Sequence, residues 1–128
     1  MGYNYKKFIV KENRNSKKKL EIYFLIDSGA VYSLVLAADL KKIGIKSYKT
    51  MEFVLADGTK MKRKVGDAYF EYNGEGGSAP VIFGEKGDDP LLGVTTLESI
   101  GLVLNPFKRE LYPMRMLMVW NFFKLFGN

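Results

Sequence analysis

The chain is cut into short runs of aromatic and β-branched residues, each stopped by a glycine, asparagine or aspartate turn, and this punctuation holds it to a β-rich architecture. Residues 3–10 read as a first strand and the polar stretch 11–18 as its turn. Residues 20–26 (Leu-Glu-Ile-Tyr-Phe-Leu-Ile) read as a second strand, apolar enough to expect burial on both faces, and they stop at Asp27-Ser28-Gly29. Strands are also expected over 51–55 and 59–65 around the hairpin signal Asp57-Gly58, over 67–72 before a glycine-rich turn at 74–77, and over 80–83. Two further strands, 102–104 and 109–112, are joined by a turn at Asn105-Pro106.

Only two stretches carry helical signals. Ser33 is placed as an N-cap, followed by Leu36, Leu40 and Ile43 at helical spacing and by Gly44 as the terminating glycine. Thr95 to Glu98 matches a capping box, and Gly101 ends that helix. The expected class is all-β, mainly strands with two short helices. One domain spans 1–112, with an apolar tail at 113–128. The tail has no clean polar face, and three uses stay open for it: packing on a partner subunit, lying on a membrane surface, or serving as an appended segment. Nothing else in the sequence supports membrane contact.

The chain has neither cysteine nor histidine. That excludes disulfides, thiol nucleophiles, Cys/His zinc sites and every Ser-His-Asp or Cys-His mechanism. Acid–base chemistry is left to carboxylates, lysines, tyrosines or a terminus, and no metal or other cofactor is expected. The net charge of +6 resides in residues 1–20; the remainder is neutral. Such a cluster is read as a solvated hairpin tip. A nucleic-acid platform would spread its basic residues over one face, so no nucleic-acid partner is expected. A nucleic-acid-binding β-barrel, resting on this cluster, on residues 60–64 and on the eight tyrosines, ranks last among the readings. Residues 60–64 are better read as a hairpin arm, lysines to solvent and Met61 and Arg63 turned the other way. No secretory signal is visible, and the expected location is the cytoplasm.

Of the six aspartates, five have structural explanations: Asp39 on a helix, Asp57 before a turn glycine, Asp67 at a strand start, Asp88 and Asp89 in a loop before Pro90. Asp27 differs. It follows a buried-looking strand and precedes a small-residue turn, so its carboxylate stands at the edge of a low-dielectric core. Ser28 adds a hydroxyl, and Gly29 lets backbone approach a ligand. Alone, the tripeptide is an ordinary strand-ending Asx turn. Ala30 and the Ser33 hydroxyl after it, and Leu91-Leu92-Gly93 with a short helix far downstream, make a constellation.

In order and spacing, these segments resemble the retropepsin-like aspartic proteases over residues 3–112, and more the single-domain cellular members than the viral ones. Ile26-Asp27-Ser28-Gly29-Ala30 is similar to their active-site loop. Leu91-Leu92-Gly93 and the helix after it are similar to the segment that closes the fold beneath that loop. Ala56-Asp57-Gly58-Thr59 matches the position of the flap. The resemblance implies an acid-protease half-barrel active as a two-fold homodimer. Asp27 of each copy would share one proton and activate water, since two carboxylates roughly 3 Å apart cannot both ionise. Ser28 would brace the loops across the interface, Gly29 would present backbone to substrate, Ala30 would border a subsite, and residues 56–59 would cover a polypeptide held extended. Serine stands where threonine is more frequent, and Val31 where viral enzymes usually carry an acid. The expected activity is aspartic endopeptidase; the alternative is a silent dimerisation or peptide-binding module on the same fold.

Overall fold

A computed structural model describes residues 5–55, 57–105 and 107–114. The element order is β1 (Tyr5–Lys11), β2 (Lys19–Ile26), β3 (Ser33–Leu36), α1 (Ala37–Lys42), β4 (Ser47–Val54), β5 (Lys60–Tyr72), β6 (Glu75–Gly84), β7 (Leu91–Leu92), α2 (Val94–Ile100), β8 (Leu102–Asn105) and β9 (Glu110–Pro113). Among the described residues the expected class holds: mostly strands, with two short helices. The tail beyond 114, for which three uses were open, lies outside the described residues.

β1 and β2 form an antiparallel hairpin in the register Phe8↔Ile22. Its tip is closed locally: Ser16 N–H donates to the Asn13 carbonyl, and Asn15 N–H donates to the Asn13 side chain. The lysines at 17–19 are exposed there, as a solvated tip requires. The main sheet runs β1-β2-β7-β3-β6-β5-β4, and an added β1–β5 pairing closes six of these strands into a ring. The thirteen-residue β5 makes closure possible. Its first half pairs with β4, and Tyr69, Phe70 and Glu71 pair with β1. Lys11 and Glu71 meet at 2.8 Å across that seam.

Closure gives each strand an inward row at every second position. Phe8 and Val10 of β1, Ile22, Phe24 and Ile26 of β2, and Phe70 of β5 supply the core. Phe24 stands at its centre, edge-on to Phe8 at 5.8 Å and tilted against Phe70 at 6.0 Å. Such aromatic pairs add to the area they bury.

Several sequence expectations are corrected. β2 is buried on one face only: Ile22, Phe24 and Ile26 point inward, whereas Tyr23 is 66% exposed. The alternation overrides the composition, because the outer face of the strand has no cover. Ser33 does not cap a helix; it opens β3 and is fully buried. Its inward neighbour two residues on, Val35, shows the period of a strand. α1 has no side-chain cap. Nor does Thr95 cap α2, which starts after Gly93, two residues earlier than the capping box placed it. The strands expected separately at 59–65 and 67–72 are one strand, and Gly76 and Gly77 belong to β6.

Truncating Phe24 to alanine is expected to cost about 3–5 kcal/mol, whereas Tyr23→Ala should stay within about 0.5 kcal/mol. Urea denaturation of the two variants checks this one-sided burial.

Candidate active site

β2 carries its inward row as far as Ile26, and the chain then leaves the barrel wall at Asp27. The turn that follows is built from Asp27 itself. Its Oδ1 accepts the Gly29 N–H at 2.9 Å, and its carbonyl accepts the Ala30 N–H at 3.1 Å. A Cβ on Gly29 would come within 3.3 Å of that same Oδ1, so the small residue keeps the carboxylate's partner close. The four residues singled out as an active-site loop, Asp27, Ser28, Gly29 and Ala30, thus form a single tight turn with the carboxylate half-buried. Ser28 is exposed, and its hydroxyl has no hydrogen-bond partner among the described residues.

A distant segment fixes this turn. β7 lies between β2 and β3, parallel to the first (Ile26↔Leu92) and antiparallel to the second (Leu34↔Leu91). The Asp27 N–H donates to the Leu92 carbonyl at 3.0 Å. Val94 N–H donates to the Ala30 carbonyl at 2.8 Å, and Thr95 N–H to the Val31 carbonyl at 3.0 Å. Gly93 is required here: a Cβ would stand 2.6 Å from the Tyr32 carbonyl oxygen. The two motifs that the sequence placed far apart are therefore laced together through backbone.

Beneath the lacing is a polar pair, one member of which, Ser33, was expected to cap a helix. Ser33 Oγ accepts the Gly93 N–H at 3.0 Å and shares a hydrogen bond of 2.5 Å with Thr96 Oγ1; both residues are 0% exposed. The signal that could have found Ser33 is its alternation with Val35, which is a strand period.

The hairpin of β4 and β5 forms as the Asp57-Gly58 signal requires. Gly58 has φ +87, Leu55 N–H donates to the Thr59 carbonyl at 2.8 Å, and Thr59 N–H donates to Asp57 Oδ1 at 2.9 Å. Hydrogen bonds from Thr59, its side chain first and its backbone second, hold the Asp57 carboxyl below the ordinary range. Ala56, expected to belong to the flap, lies outside the described residues. The hairpin meets the Asp27 loop where the Phe53 ring stands edge-on to Tyr32 at 6.3 Å. Apolar side chains remain exposed around this contact: Val31, Val54 and Leu55 at 60%, 66% and 43%. Farther down, Tyr48 donates to Asp67 across the strands at 3.2 Å; desolvation and then the Asp67 charge raise the Tyr48 pKa. Among the described residues no group of three or more acidic side chains is placed to hold a metal ion.

The chain is similar to the solution structure of a simian foamy virus (mac) protease at 19% identity, over 73% of this chain and 92% of that one, with a TM-score of 0.49. It is also similar to the crystal structure of a retropepsin-like aspartic protease from Rickettsia conorii at 21% identity, over 84% of this chain and 88% of that one, with a TM-score of 0.43. No protein-family model matches the chain, and no curated protein does. What the site does is read from its own residues.

Two outcomes are expected. Ser33→Ala strands the Gly93 N–H in a buried place and should lower stability by about 1–3 kcal/mol in urea denaturation. The depressed Asp57 carboxyl stabilises the turn at every pH above its unfolded pKa, and that contribution is lost as pH falls through its lower folded value. Carboxyl carbon NMR should show Asp57 titrating below an ordinary aspartate, and Thr59→Ala should move it back up.

Proposed function

We propose that the chain is one protomer of an aspartic endopeptidase in which two Asp27 carboxylates, one from each subunit, activate the attacking water. The seating of Asp27 carries this reading. The residue is held at the mouth of the barrel by its own turn and by a backbone bond to Leu92, with its carboxylate half-buried next to an exposed, unpartnered serine hydroxyl. A reactive group needs that kind of fixed support. One carboxylate per chain is not enough for acid and base together, and the second comes from another copy about a two-fold axis.

In the pair, the ionised carboxylate takes a proton from water as its oxygen attacks the peptide carbonyl. The protonated partner donates to the developing oxyanion, and a proton then passes to the leaving amine. The Ser28 hydroxyl, without a partner among the described residues, bonds across the two-fold and braces the two loops. Gly29 leaves backbone open to an extended substrate, and Ala30 borders the nearest subsite. The hairpin, with Asp57, Gly58 and Thr59 at its tip, covers the bound chain and excludes water. Exposed Val31, Val54 and Leu55 would receive apolar substrate side chains.

One observation favours a second reading, a silent dimerisation or peptide-binding module: the bond from Gly29 N–H to Asp27 ends a strand in the ordinary way and needs no chemistry. Asp27→Asn separates the two, because asparagine keeps the accepting oxygen and the turn while removing the acid–base group. The native chain should cleave an unfolded protein between about pH 3 and pH 6 and be blocked by a transition-state-analogue inhibitor of aspartic proteases. Asp27→Asn should lose about 10²–10⁴-fold or more of that rate with its denaturation curve unchanged. Specific activity should also fall on dilution as dimers dissociate. Cleavage that survives the substitution, or that is unaffected by dissociation to monomers, would sink the proposal.

A further inference from the structure

We propose that a cavity at the root of the β4–β5 hairpin binds a small ligand made of an apolar body and an oxyanion, an aryl phosphate or aryl carboxylate in chemical class. The cavity, about 540 Å³, lies within the size range of small-molecule sites. It is bounded by α1, the start of β4, the middle of β5 and the end of β6. No residue of the Asp27 turn or of the segment laced to it lines this space, so the proposal is independent of the protease reading.

The walls differ in character. Ile45 and Phe83 provide a buried apolar floor, 3% and 7% exposed. Around it stand Lys41, Lys46, Lys62 and Lys64, all exposed and none in an ion pair among the described residues. Arg63, between Lys62 and Lys64 in β5, also borders the space and is half-buried. Its Nη2 meets Glu85 at 2.8 Å, its Nη1 donates to the Lys62 carbonyl at 3.2 Å, and its Nε is buried with no partner. Five cationic residues thus border the cavity against one acidic residue, Glu85. Like charges gathered around a low-dielectric floor raise a positive potential that a bound anion relieves.

The arrangement is held by backbone. A Cβ on Gly66 would stand 2.6 Å from the Lys46 carbonyl oxygen, so the bare glycine is what lets the Lys46 segment close against β5. On the far side, the Glu85 N–H donates to Asp88 Oδ2 at 2.7 Å and pins the turn that presents Glu85 to Arg63.

The test is an amide NMR titration of the full chain with phenyl phosphate, benzoate, inorganic phosphate and phenol. Phenyl phosphate or benzoate should shift the amides of residues 41–47, 62–64 and 83–85. The tighter of the two names the oxyanion, and it should bind at least about tenfold more tightly than inorganic phosphate or phenol, since each of those lacks one half of the recognised chemistry. Replacing Lys46 and Lys64 together by glutamine should weaken binding about tenfold, while the same change at Lys17 and Lys18 in the β1–β2 tip should leave it unchanged. Equal losses in both variants, inorganic phosphate matching the aryl compounds, shifts spread over all surface lysines, or stronger competition by a single-stranded oligonucleotide would each overturn the proposal.

Discussion

Three backbone hydrogen bonds between residues 27–31 and 92–95 hold together what matters in this molecule. They join a strand that ends at a carboxylate to a segment more than sixty positions downstream, and they exist only because β7 inserts between β2 and β3. Backbone bonds of this kind depend on side chains only where one would intrude, and Gly93 is where one would. The buried Ser33–Thr96 pair below fixes the same junction with hydroxyls, since an N–H left unpaired there would carry a desolvation penalty. The orientation of Asp27 is therefore a property of the whole barrel, not of its own turn alone.

The hairpin shows a complementary logic. Its tip is ordered by a few local bonds around Asp57 and Gly58, while its arms depend on the barrel that β5 enters. An aromatic contact, Phe53 with Tyr32, ties it to the Asp27 loop. With Val54 and Leu55 exposed near its tip, the hairpin has apolar surface still to bury.

Much of this was legible in the sequence where local chemistry decides the outcome. Asp57-Gly58 specifies its turn because glycine alone adopts φ +87 freely. Gly44 and Gly101, both at φ +86, end their helices for the same reason. The constellation of Asp27-Ser28-Gly29-Ala30 with Leu91-Leu92-Gly93 was legible as a pattern, and the structure shows the two parts in contact. Tertiary context hid the rest. Ser33 and Thr95 both looked like helix caps, because hydroxyl residues are good caps; the barrel used Ser33 inside instead. The strand at 20–26 looked buried on both sides because composition does not say which face has a neighbour. The basic cavity was invisible for another reason. Its cations come from positions 41, 46 and 62–64, inside a stretch whose charges sum to zero, and only folding separates them from the acids that balance them in the count.

The length of β5 has a mechanical consequence. One unbroken strand runs from the hairpin's tip into the barrel wall, so the hairpin is a cantilever clamped along one arm. It has no free hinge at its base on that arm, because a hinge there would break the ladder with β6. The other arm is different: pairing of β4 with β5 slips between Ser47 and Lys49, the one irregularity in that ladder. The two arms are therefore unequal: the β5 arm is locked into the wall, and the slip in pairing lies on the β4 side.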